Sequence, residues 1–401
     1  MSLLSRRRPE VEVDLAAVRA ALATVQDPEL RLPLDEAGML GDVSVDRSGA
    51  VSVSVRLTTP SCPLKDTLAH DVTGAVGAVA GVSRVEVGFA AMSENERMRL
   101  ASRLRGSRPE GGHPFGLDSA TQVYAVASGK GGVGKSTLTA NLAVALAQQG
   151  KRVGVLDADV WGYSIPQLFG VRRAPVALKG LMLPVEAHGV SLMSVGFFVQ
   201  DEEPVVWRGP MLHKAIEQFL GDVHWGELDA LLIDLPPGTG DVTMSLLELV
   251  PDAALIAVTT PQPAAQTVAE RVGRMARNAR MPVAGVVENM SALVCGSCHE
   301  STALFGSGGG ARLAAAIDAP LLGQVPLDIE LREAGDGLRF FGIQRAHAQH
   351  VAGGQRLARA DALSARPRRH DGVVAALAER ALRLQALQHR PWFPRDSPQH
   401  H

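Results

Sequence analysis

Residues Gly129-Lys130-Gly131-Gly132-Val133-Gly134-Lys135-Ser136-Thr137 constrain this chain more than any other stretch. An apolar run, Val123 to Ala127, precedes them, and a segment of helical pattern, Lys135 to Gln149, follows. Together these make the strand, glycine-rich loop and helix of a phosphate-binding P-loop. Glycines let the backbone wrap so tightly that successive N–H groups converge on phosphate oxygens, and the helix N-terminus adds its partial positive charge. Lys135 is placed to reach the β- and γ-phosphates, and the Ser136 hydroxyl to ligate Mg²⁺. The expected ligand is a nucleotide, ATP with Mg²⁺ by preference, held by residues 129–137.

Further continuous apolar runs recur at Val153 to Leu156, Leu231 to Ile233, Ala254 to Val258 and Val283 to Val287, with helical stretches between them. Uninterrupted apolar runs belong to strands covered on both faces. The expected fold is therefore α/β, a P-loop NTPase domain with a mainly parallel sheet, over residues 121–336. The run Leu231-Leu-Ile-Asp234 ends in an acid, the form of a Walker B strand, which makes Asp234 the second Mg²⁺ partner. Pro236-Pro-Gly-Thr-Gly-Asp241 follows as a loop beside the γ-phosphate. Val153 to Leu156 ends in Asp157-Ala-Asp159, and one of these acids is expected to orient the attacking water.

Residues 1–100 form a second, smaller α+β unit. A helix over Asp14 to Leu22 stops before Asp27-Pro28. Strands Val43 to Val45 and Ala50 to Leu57 flank a turn at Arg47-Ser48-Gly49, a helix spans Leu64 to Val79, and a strand runs from Val82 to Val87. In Ala50 to Leu57, Val51, Val53 and Val55 alternate with Ser52, Ser54 and Arg56, the period of a sheet with one covered face. Residues 101–120 have linker composition. Residues 337–401 are an atypical tail rich in Arg, His and Ala, with one expected helix at Val373 to Leu384.

A formal net charge of −2 over 401 residues exerts no global pull on nucleic acid or anionic lipid, so no stable contact with either is expected. No apolar h-region follows the basic start, and no run reaches the ~18 apolar residues of a membrane span. The cytoplasm is the expected location. Of three cysteines, two stand as Cys295-Gly-Ser-Cys298, a spacing that favours metal or redox chemistry in such a chain. Two thiolates with His299 suit Zn²⁺, and a redox disulfide is another use. Cys62 reads equally as a sulfur ligand or relay and as a packed side chain.

Lys130, directly after the first glycine, lies outside the general P-loop pattern and resembles the deviant Walker A group that includes MinD, ParA and the nitrogenase iron protein. Four further segments narrow the match. They are Leu156-Asp-Ala-Asp-Val-Trp-Gly-Tyr-Ser-Ile-Pro166, Trp207-Arg-Gly-Pro-Met211, Asp234-Leu-Pro-Pro-Gly-Thr-Gly-Asp241, and Glu288-Asn-Met-Ser with Cys295-x-x-Cys298. With them the chain resembles the Mrp/ApbC family of ATP-dependent iron–sulfur cluster carriers from about residue 121 to 336. The Asp27-Pro-Glu-Leu30 and Thr58-Thr-Pro-Ser-Cys62-Pro63 segments are similar to the small iron–sulfur-assembly domain often fused to them.

The resemblance implies a homodimeric, slow, switch-like ATPase. In it Lys130 reaches the partner's nucleotide, Asp159 polarises the hydrolytic water, and Asn289 contacts adenine. Cys295 and Cys298 of two protomers hold one labile 4Fe–4S cluster for transfer to apoproteins. Tyr163 departs from the family's proline, and the tail after Gly337 matches neither the strand nor the Ser-Pro turn expected there, through divergence or a disturbed reading frame. The alternative function is that of a MinD/ParA-like positioning ATPase acting on membrane or DNA, with the tail helix as its faintly amphipathic anchor. An electron-transfer role like that of the nitrogenase iron protein fits less well, since those cluster cysteines lie far apart in sequence.

Overall fold

The computed structural model describes residues 13–60, 62, 64–106, 113–115, 119–198, 209–295, 298 and 300–327. The helix expected at Val373 to Leu384, His299 and Trp207-Arg208 lie outside them. The described chain divides into two compact units.

The N-terminal unit follows the expected order: α1 (Leu15–Leu22), β1 (Leu40–Val45), β2 (Ala50–Leu57), α2 (Lys65–Gly77) and β3 (Arg84–Ala91). The Asp14 side chain caps α1 by accepting from Ala16 N at 2.9 Å, satisfying one of the helix's unpaired donors. β2 lies between β1, antiparallel, and β3, parallel. Its alternation behaves as the pattern requires: Val51, Val53 and Val55 are buried, and Ser52 is exposed. Burying each such side chain contributes roughly 1.5–3 kcal/mol.

A further helix, α3 (Glu94–Arg105), runs five residues into the segment read as linker. A capping box starts it: Ser93 Oγ accepts from Glu96 N at 3.3 Å and Glu96 Oε2 accepts from Ser93 N at 2.7 Å. Leu100, Ala101 and Leu104 bury one face, and Gly106, at φ +60°, ends it. Residues 174–186 and 221–226 also belong to this unit. The first of these carries the hairpin β6 (Val176–Leu178) and β7 (Leu181–Leu183). Lys179 (φ +50°) and Gly180 (φ +78°) both have the positive φ of the tight turn that matches strand twist. Leu178, Leu181 and Leu183 enter the same apolar core as Val18, Leu68 and Val72. The carboxylate of Glu186 pairs with Arg31 at 2.5 Å.

The larger unit holds β4 (Gln122–Ser128), α4 (Lys135–Ala147), β5 (Val153–Asp157) and α5 (Ile165–Leu168). After the short strand β8 (Val185–Ala187) come β9 (Val190–Ser194), α6 (Gly209–Gly221), β10 (Ala230–Asp234), α7 (Asp241–Leu249) and β11 (Ala254–Thr259). α8 (Pro263–Asn278), β12 (Val283–Val294), β13 (Ser301–Thr302), α9 (Gly309–Ala316) and β14 (Leu321–Leu327) complete it. The sheet runs β13-β12-β11-β4-β10-β5-β9, with β14 also paired to β12. Among these strands every pairing is parallel except that of β13 with β12. β5 and β10 are buried at every position, as their apolar runs demand. Parallel strands bring their C-terminal ends to one edge, where an α/β fold binds ligands. Here that edge collects Ser128, Asp157 and Asp234.

Among the described residues no helix is long and apolar enough to cross a membrane.

Candidate functional site

The loop between β4 and α4 takes the shape its glycines permit. Gly132 and Gly134 have φ of +76° and +80°, the left-handed region that a side chain disfavours. A Cβ on Gly134 would stand 2.2 Å from Asn289 Nδ2, and one on Gly129 would stand 2.3 Å from the backbone nitrogen of Ala269 in α8. The loop borders a cleft of about 630 Å³, lined also by Asp159, Trp161, Leu212 and Pro236. That volume is ample for a nucleoside triphosphate, since small-ligand pockets run ~300–1,000 Å³.

Lys135 and Ser136 open α4 at the floor of this cleft. The Lys135 ammonium lies 2.8 Å from Asp234 Oδ1 and 3.7 Å from Asp159 Oδ2. Ser136 Oγ donates to Asp234 Oδ2 at 2.5 Å, and Thr139 Oγ1 donates to Asp234 Oδ1 at 3.0 Å. Asp234 is fully buried behind Lys135 and Ser136. Burial pushes its carboxyl pKa up, while the Lys135 ammonium and the two hydroxyls pull it back. A neighbouring alcohol and carboxylate oxygen are the hard donors that Mg²⁺ takes from a P-loop protein, the remainder coming from phosphates and water. Ser136 and Asp234 therefore fit the ion.

Asp157 and Asp234 are register partners on adjacent parallel strands. Asp157 is enclosed by donors: Ser194 Oγ at 2.9 Å, Ile165 N at 3.2 Å and Asp159 N at 3.2 Å. Burial, followed by the nearby Asp234 charge, raises its pKa to about 7. Its contacts tie β5, β9 and the loop into α5 together, which makes Asp157 a support for that loop. Asp159 faces the cleft, its Oδ1 accepting from Gly162 N at 3.1 Å. The Tyr163 ring packs over Gly196, where a Cβ would come within 2.3 Å of it. The bulky replacement of proline is thus accommodated by a glycine while Asp159 still lines the cleft.

Lys130 lines the cleft, its carbonyl accepting from Ser128 Oγ at 3.1 Å and its ammonium donating to Gln262 Oε1 at 2.8 Å. Asn289 donates from Nδ2 to the carbonyl of Val133 at 2.8 Å and does not line the cleft. The next residue, Met290, has φ +56°. In this geometry Asn289 fastens β12 to the phosphate loop.

β12 runs on to Val294 and pairs with β13 through Leu293 to Thr302 and Val294 to Ser301. The amide of Cys295 donates to the Glu300 carbonyl at 3.0 Å, so Cys295 and Cys298 occupy the tip of a hairpin, both exposed. Among the described residues no three His, Cys, Asp or Glu side chains gather as a metal group. Cys62 is half-buried and packs against the N-terminal core. In the same unit Asp27 is buried and accepts from Glu29 N at 2.9 Å and Leu30 N at 2.8 Å, so the Asp27-Pro-Glu-Leu30 segment closes its own turn.

Sequence reasoning missed Thr139, Ser194 and Gln262. Each is a common polar residue whose partner lies far off in the chain, so no local pattern marks it.

The comparisons with known proteins bear on the family. The family model of the NUBPL iron-transfer P-loop NTPases matches residues 119–359, and that of an iron–sulfur cluster assembly protein matches residues 15–87. The iron–sulfur cluster carrier protein of Mycobacterium leprae (strain TN) is 47% identical over 371 residues, 90% of this chain and 96% of that protein. The iron–sulfur cluster carrier protein of Mycobacterium tuberculosis (strain H37Rv) is 51% identical over 328 residues, 80% of this chain and 86% of its own. A solved nucleotide-binding protein of Archaeoglobus fulgidus in complex with ADP is 40% identical, covering 55% of this chain and 87% of that one at a TM-score of 0.49. With a phosphate loop of this build and a family match over more than half its length, the chain belongs to the NUBPL-type iron-transfer P-loop NTPases.

Proposed function

We propose that this chain binds and hydrolyses ATP as a homodimeric iron–sulfur cluster carrier in the cytoplasm, holding a labile 4Fe–4S cluster and passing it to apoproteins. The observation that carries this reading is the exposed Cys295/Cys298 pair at the tip of a hairpin whose long strand, β12, is fastened to the phosphate loop through Asn289. A cubane takes four thiolates and one chain offers two from this pair, so two copies meeting at the hairpin tips complete the set. Soft thiolates prefer iron–sulfur clusters and zinc to hard cations. The close relatives' names, both iron–sulfur cluster carrier proteins, favour the cluster.

The nucleotide site works as a switch. Residues 129–137 wrap the phosphates with backbone N–H groups, and Lys135 brings its charge to the β- and γ-phosphates. Ser136 and Asp234 would hold Mg²⁺, which when bound would supply positive charge against the phosphate oxygens. Asp159 orients the attacking water from the cleft wall, and Lys130 reaches the nucleotide of the partner copy. Because ATP and ADP make different contacts with these groups, the dimer's two states differ in free energy, and the hairpin that follows Asn289 on the same strand feels the difference. Turnover is slow, as suits a switch.

The test is anaerobic reconstitution with iron and sulfide. The expected result is a brown chromophore near one cluster per dimer, transferable to an apoprotein and lost in Cys295→Ala. Full retention of cluster by that variant would end the assignment.

A further inference from the structure

Gln262 occupies the N-cap of α8, where Ser, Thr, Asp or Asn would ordinarily satisfy the first amides of the helix. Its side chain makes no such bond. Instead Gln262 Oε1 accepts from the Lys130 ammonium at 2.8 Å. The same region of α8 sets the opening of the phosphate loop in place, since the backbone of Ala269 leaves no room for a Cβ on Gly129. Ser128 Oγ holds the Lys130 carbonyl at 3.1 Å. Lys130 is thus anchored at its main chain and at the end of its side chain, at the rim of the cleft it lines.

We propose that Gln262 is a positioning residue for Lys130. It holds the ammonium in one place so that the charge is already ordered when a second copy presents its phosphates. A lysine stem has four rotatable bonds and loses much freedom when it is fixed. Fixing it in the separate subunit removes that loss from the step in which the dimer closes. A neutral amide suits the task. Its hydrogen bond to an ammonium is strong enough to order the side chain, while a phosphate carrying full negative charge can still outcompete it. An amide oxygen also leaves the lysine's charge uncancelled, whereas a carboxylate there would neutralise it.

This rests on the reading of Lys130 as the lysine that acts on the partner's nucleotide, and the experiment separates the two ideas. Steady-state ATP turnover with Mg²⁺ is measured on the full chain for the parent, Gln262→Leu, Lys130→Ala and the double variant. Gln262→Leu lowers kcat about fivefold, the cost of ordering one long side chain in the closing step, with KM for ATP unchanged. In the Lys130→Ala background the same substitution has no further effect. If Gln262→Leu does not fold, Gln262→Ala takes its place with the same expectation. An equal loss in both backgrounds would assign Gln262 a merely structural role and overturn the proposal. So would a parental kcat in Gln262→Leu beside a slow Lys130→Ala. A Lys130→Ala variant as fast as the parent would remove the underlying reading of Lys130 and the proposal with it. The readout is ATP turnover alone, so it is independent of whether the Cys295 variant keeps its cluster.

Discussion

Asp157 offers the sharpest test of the electrostatics around the cleft. Burial and the neighbouring Asp234 raise its pKa from 3.8 to about 7, so between those values the folded chain keeps a proton that the unfolded chain has released. The native state is therefore favoured most at low pH, and this group's contribution falls as pH rises toward 7 and is lost above it. The span corresponds to about 4 kcal/mol in all, most of it lost between pH 5 and pH 8. Asp157→Asn removes the titration at a local cost. The three donors on Asp157, from Ser194, Ile165 and Asp159, expect oxygen acceptors, and the new amide turns its NH₂ toward at least one of them. The variant is thus less stable than the parent at pH 5, by roughly 1–3 kcal/mol for a mispaired buried donor. By pH 8 the gap closes or reverses. Denaturant titrations of both proteins at the two pH values measure it. A parent–variant difference that is the same at pH 5 and pH 8 would show that Asp157 does not titrate there, and the argument from burial and like charge would fail.

Two further outcomes follow from the loop and its floor. Gly134→Ala places a Cβ where Asn289 Nδ2 already stands and demands a left-handed conformation of alanine, at φ +80°. Strain of ~1–2 kcal/mol adds to the displaced Asn289, and affinity for a fluorescent ATP analogue drops at least tenfold, read by anisotropy. Thr139→Val keeps the shape of a fully buried side chain but removes its bonds to Asp234 and to the Lys135 carbonyl. Thermal unfolding should show a loss of ~1–3 kcal/mol, and calorimetry a weaker response to Mg²⁺.

The parts legible in the sequence are those whose cause is local. β4, β5, β10 and β11 lie buried on both faces, and each is an unbroken apolar run within a residue or two of its observed ends. The phosphate loop is legible because glycine at left-handed φ has no substitute. β9 escaped because Ser191 and Ser194, both buried, interrupt its apolar run, and Ser194 is there to serve Asp157. β14 hides behind Gly323, Gln324 and Pro326. α3 reads as charged linker, since only Leu100, Ala101 and Leu104 are buried in it, although Ser93 and Glu96 mark its start. β12 extends seven residues beyond the expected Val287, through Met290 at positive φ, a conformation no sequence pattern for methionine announces. The membership of residues 174–186 in the N-terminal unit depends on which core Leu178, Leu181 and Leu183 enter, and that is decided by tertiary packing alone.

The two halves of the candidate site are maintained by opposite physics. At the phosphate loop the charges are buried and mutually dependent. Lys135 is 6% exposed, Asp234 is fully enclosed, and Ser136 and Thr139 complete the carboxylate's bonds. Removing Lys135 or Asp234 leaves a desolvated charge without its partner, which costs several kcal/mol, and removing a hydroxyl costs less, so this set is held in place by stability as much as by nucleotide binding. The cysteine pair is placed differently. Both thiols are exposed at a hairpin tip, and the turn there is closed by a main-chain bond from Cys295 to Glu300 that any side chain would allow. Serine or alanine at these positions would leave the core untouched. Exposed thiols are also open to oxidation, so keeping two of them three residues apart carries a cost. In the proposed reading the pair is kept for the cluster it would bind. That is why the loss of cluster in a Cys295 variant, with its thermal unfolding unchanged, separates carrying from folding more cleanly than any substitution in the loop.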